Sequence, residues 1–144
     1  MTDVDAHLRS VPSATLRARL EVEGVHIVHV WAPWCDNSLH ELRPVWAEPE
    51  RLGADSVTFV TIWNEGESGA DVLEAYGVEV DEVVVPGPKP EKADRRMTLL
   101  DLPVTWIPTT WVFNREGLLA TAFSYGEVTA SKLADAVQGA RSGW

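Results

Sequence analysis

Residues 25–31 read Val-His-Ile-Val-His-Val-Trp, a run dense in β-branched side chains. Such a run fits a strand covered on both faces, and a sheet layered between helices supplies that cover. Ala32-Pro33-Trp34 then turns the chain. Residues 35–48 follow as a helix, with Leu39, Leu42, Val45 and Trp46 on one stripe facing a core. Pro44 is expected to kink that helix or end its regular hydrogen bonding. A covered strand running straight into an amphipathic helix points to an α/β fold.

The rest of the chain continues the alternation. Residues 13–23 favour a helix that opens on Ser13 and stops at Gly24, although apolar residues at 14, 16, 18, 20 and 22 also suit a strand. Residues 56–63 alternate as a second strand. Residues 69–77 form a short helix with Gly77 at its C′ position. Residues 78–85 are a weaker strand, 86–90 a Pro-Gly loop, and 91–101 a helix with Met97, Leu99 and Leu100 inward. Residues 109–114 and 118–124 form a hairpin around Gly117, and 128–141 close the chain as a helix. The expectation is one domain over 1–144, with 1–24 an N-terminal extension and 25–141 the core. A central mixed sheet would be flanked by helices on both faces, joined by right-handed crossovers.

Composition removes several function classes. Twelve basic residues stand against 22 acidic ones, a net charge of -10. That balance repels a phosphate backbone and an anionic membrane surface, so neither nucleic acid nor membrane is expected as a partner. No apolar run approaches the ~20 residues of a membrane span. The start, Met1-Thr2-Asp3-Val4-Asp5, lacks the basic and apolar regions of a secretory signal, and a cytoplasmic protein is expected. With one cysteine, no intrachain disulfide and no thiolate-rich zinc site can form. His26 and His29, three apart on a strand, point to opposite faces and cannot chelate together. No metal or cofactor is expected.

The segment Val30-Trp31-Ala32-Pro33-Trp34-Cys35, a strand running into a helix, resembles the active-site segment of the thioredoxin superfamily. A second match stands at Trp106-Ile107-Pro108-Thr109-Thr110, where that superfamily carries a cis-proline facing the active-site cysteine. The likeness covers roughly residues 25–141. Within the superfamily it most resembles the thiol oxidoreductases of the TlpA and ResA type. Glu41, six residues past the cysteine, and the double threonine after Pro108 agree with that branch. Pro44 departs slightly, nine residues after Cys35 where eight is usual. Ser38 departs more: most of the family has Cys-x-x-Cys, and here the pattern is Cys35-Asp36-Asn37-Ser38.

The resemblance implies a chemical centre at Cys35. The thiolate is the nucleophile in disulfide exchange, and a helix N-terminus favours it through free N–H groups and the macrodipole. Ser38, one turn on, is placed to donate a hydrogen bond to the sulfur, while the Asp36 carboxylate opposes the thiolate. Without a second thiol, attack stops at a mixed disulfide, which an outside thiol or the substrate's own cysteine must release. His29 stands six residues before Cys35, where many thioredoxins keep a buried carboxylate, and is expected to accept a proton near neutral pH. Glu41 has the same standing, and His40 is expected in solvent. Ile107, before Pro108, would hold a substrate strand. Of seven tryptophans, Trp31, Trp34, Trp106 and Trp111 fall near this edge, and Trp34 and Trp106 would line a peptide groove. The implied function is a monothiol oxidoreductase acting on protein or small-molecule thiols and disulfides, of the isomerase or deglutathionylation type. The alternative is a redox-inactive thioredoxin-fold binding module for a protein or peptide. A peroxiredoxin would need threonine where Ala32 stands. A cluster-binding monothiol glutaredoxin would need Cys-Gly-Phe-Ser, and a glutathione transferase a second helical domain.

Overall fold

The computed structural model describes residues 14–62, 67–85, 97–100, 102–104, 106–124 and 128–142. Helix α1 covers 14–21, and β1 is His26–Trp31. Helix α2 is Asp36–Trp46, followed by a 3₁₀ turn at Pro49–Leu52. Next come β2 (Ser56–Thr61), α3 (Ala70–Ala75) and β3 (Glu82–Val84). A small hairpin, β4 (Met97–Leu99) and β5 (Leu102–Val104), precedes β6 (Thr109–Phe113), β7 (Leu119–Ser124) and α4 (Ala130–Arg141). The main sheet has the order β3-β2-β1-β6-β7. β1, β2 and β3 run parallel, while β6 is antiparallel to β1 and β7 to β6.

All six residues of β1 and of β2 are buried, as a strand with both faces covered requires. Their alternate side chains feed two cores. Ile27 and Trp31 pack with Leu42, Val45 and Trp46 of α2 and with Leu133 and Val137 of α4. Val28 and Val30 face the other way, toward Leu16 of α1 and Leu99, Leu100 and Val104 of the hairpin. Leu16 is fully buried, so α1 is part of the second core and not an appendage. Arg19 of α1 also reaches Glu82 of β3 at 3.0 Å.

The helix expected over 91–101 is corrected at its described end. Residues 97–99 are a strand, paired antiparallel with 102–104 across a turn in which Leu100 has φ 56°. Leu102 precedes Pro103, and a residue before proline is pushed out of the helical region toward extended backbone. Leu99 and Leu100 are inward as expected, but from a hairpin. The expected loop at 86–90 and residues 91–96 lie outside the described residues. The strand expected over 78–85 is shorter, Glu82–Val84. Helix α2 carries Pro44 inside it and runs on to Trp46.

Candidate functional site

β1 delivers the chain to Ala32, and the turn at Pro33-Trp34 sets Cys35 as the N-cap residue of α2, with φ −94° and ψ 118°. Two hydrogen bonds hold this turn from either side of Ala32. Its carbonyl accepts the Cys35 N–H at 3.1 Å. Its own N–H donates to Ser38 Oγ at 3.3 Å. Cys35 is half-buried, and Ser38 is wholly buried. The Ser38 hydroxyl therefore pins the turn. Among the described residues it makes no bond to the sulfur, which corrects the role expected for it.

The segment around Pro108 passes the same end of the sheet. Val30 pairs with Thr109, so the chain just before Thr109 runs past the carboxyl end of β1, from which Cys35 follows. The Ile107–Pro108 peptide is cis. Pro108 is buried, Ile107 half-buried against the second core, and Trp106 60% exposed. Thr109 Oγ1 donates to the Trp106 carbonyl. Trp34 is 53% exposed, whereas Trp31 and Trp111 belong to the cores. The four tryptophans thus divide into two surface rings and two packing rings.

His29 lies on the α2 side of β1 with no exposed surface. Its ring packs against Trp46 (centroids 4.5 Å apart) and Phe59 (4.7 Å). Its Nδ1 is 2.8 Å from Thr110 Oγ1, the residue opposite it on β6. Its Nε2 faces Glu41 Oε2 at 3.9 Å, beyond hydrogen-bond reach. Among the described residues neither atom has a hydrogen-bond partner, and Trp46 Nε1 lacks one too. Burial among aromatic rings disfavours charge, lowering the His29 pKa to about 3. The same cause raises Glu41 to about 7. With His29 neutral, the contact to Glu41 is not an ion pair. The expected proton acceptor near neutral pH is thereby corrected: the group that titrates there is Glu41, and His29 stays neutral. His40, one residue away, is exposed.

Sequence reasoning missed Thr110 as the partner of His29, and Trp46 and Phe59 as its surroundings. The double threonine was visible, but which threonine meets His29 depends on the register of a strand 81 residues away. Among the described residues no three His, Cys, Asp or Glu side chains gather to hold a metal.

No family model matches the chain, and no curated protein does. Solved structures do. A DsbF homologue from Corynebacterium diphtheriae superposes with a TM-score of 0.62 at 23% identity, over 80% of this chain and 71% of that one. A secreted thiol-disulfide isomerase from Corynebacterium glutamicum gives 0.60 at 20%, over 81% and 70%. A thiol:disulfide interchange protein of the thioredoxin family from Chlorobium tepidum gives 0.60 at 16%, over 85% and 83%. The chain has a thioredoxin-like fold: a mixed five-stranded sheet with helices on both faces.

Proposed function

We propose that this chain is a thiol–disulfide exchange protein working through Cys35 alone. The observation that carries the reading is the half-buried thiol at the N-cap of α2, on the turn that leaves the central strand. A cysteine serving only as a small core residue would be expected inside one of the two cores. In the proposed step the Cys35 thiolate attacks one sulfur of a substrate disulfide. The Cys35–sulfur bond forms, the substrate S–S bond breaks, and its second sulfur leaves as a thiolate. An outside thiol, or a second cysteine of the substrate, reverses the step by attacking the mixed disulfide. Trp34, Trp106, Ile107 and Pro108 are proposed to border the substrate. Glu41 is proposed as the group that takes or returns a proton, with the neutral His29 ring as its buried neighbour. The likeness to thiol-disulfide isomerases supports the fold on which this chemistry is proposed.

The test is intact-mass spectrometry of the protein after exposure to cystine. A single adduct is expected, absent from Cys35→Ser, and forming faster than on a free model thiol. A rate no greater than the model thiol overturns the reading. Ser38→Cys is expected to add insulin reduction, because it supplies the resolving thiol. The second reading, a binding module that keeps its groove without turnover, draws on Ser38 and Asp36. It gains if Cys35→Ser retains a protein partner as well as the unaltered chain does.

A further inference from the structure

Two buried polar atoms face each other without a bond. His29 Nε2 and Glu41 Oε2 stand 3.9 Å apart, and among the described residues neither has a hydrogen-bond partner. A buried donor or acceptor left unpaired is costly, so two of them opposed point to a bond between them. An approach of about 1 Å brings the pair into hydrogen-bond range, and the Glu41 side chain has the rotatable bonds to make it. The other ring nitrogen is already engaged: His29 Nδ1 lies 2.8 Å from Thr110 Oγ1.

A neutral imidazole carries hydrogen on one nitrogen and accepts at the other. When Glu41 is protonated, its O–H donates to Nε2. The ring hydrogen then sits on Nδ1 and donates to the Thr110 oxygen. When Glu41 is ionised, Nε2 carries the hydrogen and donates it to the carboxylate. Nδ1 is then bare and accepts the Thr110 O–H. A hydroxyl suits both arrangements, because it donates as readily as it accepts. The first arrangement holds hydrogens on Glu41 and Nδ1, the second on Nε2 alone. The difference is one proton, released to solvent, which reaches the 9% of the Glu41 side chain left exposed. We propose that His29 is a positioning residue for the Glu41 proton, reversing its tautomer each time Glu41 gains or loses that proton, with the Thr110 hydroxyl turning to match. The state of Glu41 is thereby relayed from α2 through β1 to β6, two residues past the cis peptide at Pro108. Its use in disulfide exchange rests on the function proposed for Cys35, whereas the relay itself does not.

Glu41 ionises at about pH 7, well above the range in which the His29 ring takes up charge. A change of tautomer, not of charge, is therefore the ring's response. Its other neighbours, Trp46 on α2 and Phe59 on β2, carry no charge. On its far side Glu41 lines a cleft with the uncharged Asn37, Thr129 and Ala130 and with His40, which the test removes.

The experiment uses the unaltered, reduced chain with 15N-labelled histidine. Long-range 1H–15N spectra show which ring nitrogen carries hydrogen, and the His29 signals are those lost in His29→Phe. Between about pH 5 and 9, hydrogen is expected on Nδ1 at the acid end and on Nε2 at the alkaline end. The midpoint should match that of the Glu41 carboxyl, read from its 13C shift. His40→Gln and Thr110→Ser should keep this exchange, and Glu41→Gln should abolish it, leaving one tautomer throughout. A histidine that only fills the core would hold one tautomer in the unaltered chain, and that result overturns the proposal. So does hydrogen on both nitrogens, which marks an ion pair, or an exchange that survives Glu41→Gln or is lost in His40→Gln. If Glu41→Gln does not fold, agreement or disagreement of the two midpoints in the unaltered chain decides. A fixed tautomer leaves the cystine adduct on Cys35 untouched, and failure of the adduct leaves the tautomer exchange untouched.

Discussion

At the residue scale, His29 and Glu41 bend the dependence of stability on pH in opposite directions. The folded-state pKa of Glu41 is raised from 4.5 to about 7, so between those values the folded chain holds a proton the unfolded chain has lost. Stability contributed by Glu41 is complete below pH 4.5 and falls as pH rises to 7, by on the order of 3 kcal/mol at most. The folded pKa of His29 is lowered from 6.5 to about 3, so here the unfolded chain holds the extra proton. Its contribution is complete above pH 6.5 and falls as pH drops toward 3. Between about pH 4.5 and 6.5 the two slopes oppose each other. Urea unfolding across pH 4–8 should therefore be flattest in the unaltered chain over that overlap. Glu41→Gln should leave a stability that rises with pH, and His29→Phe one that falls. Identical profiles for the two variants would contradict this assignment of the proton. Cys35, His29 and Glu41 were legible in the sequence through the resemblance to the thioredoxin superfamily. Their tuning was not, because it comes from Trp46 and Phe59, brought together by packing.

At the element scale, the strand-turn-helix from β1 to α2 was legible because its hydrophobic pattern, its turn residues and its helical stripe agree. The hairpin at 97–104 was not, because Leu99 and Leu100 fit an inward helix face as well as two strand ends. Pro103 was the one local signal against a helix continuing there. Helix α1 was only partly legible: five apolar positions at alternate sites suit a strand as well as a helix, and they leave open which one is buried. The structure buries Leu16 fully, against Val28 and Val30 of β1 through the second core. Leu16→Ala should cost about 2–5 kcal/mol in urea unfolding, the usual range for a buried leucine that leaves a cavity. A loss under about 0.5 kcal/mol would mean that α1 is not part of the cooperative core.

At the scale of the whole molecule, the net charge of -10 acts on every approaching substrate. An anionic disulfide is repelled before it meets Cys35, and the repulsion is screened by salt. Adduct formation with such a disulfide should speed up as ionic strength rises from about 0.01 to 0.15 M, where the screening length falls from ~30 to ~8 Å. The rate with zwitterionic cystine should stay nearly constant. Stopped-flow or mass-spectrometric rates at the two salt levels compare them, and equal salt responses would contradict long-range steering. The order β3-β2-β1-β6-β7 has a consequence for biosynthesis as well. His29 and Thr110 are 81 residues apart, and β1 needs β6 to close its second flank. At ~5–20 residues per second, a ribosome takes about 4 to 16 s to make the chain between them. During that interval the nascent β1 has at most β2 and β3 to build on, its other edge lies open to neighbouring chains, and His29 has no threonine to meet.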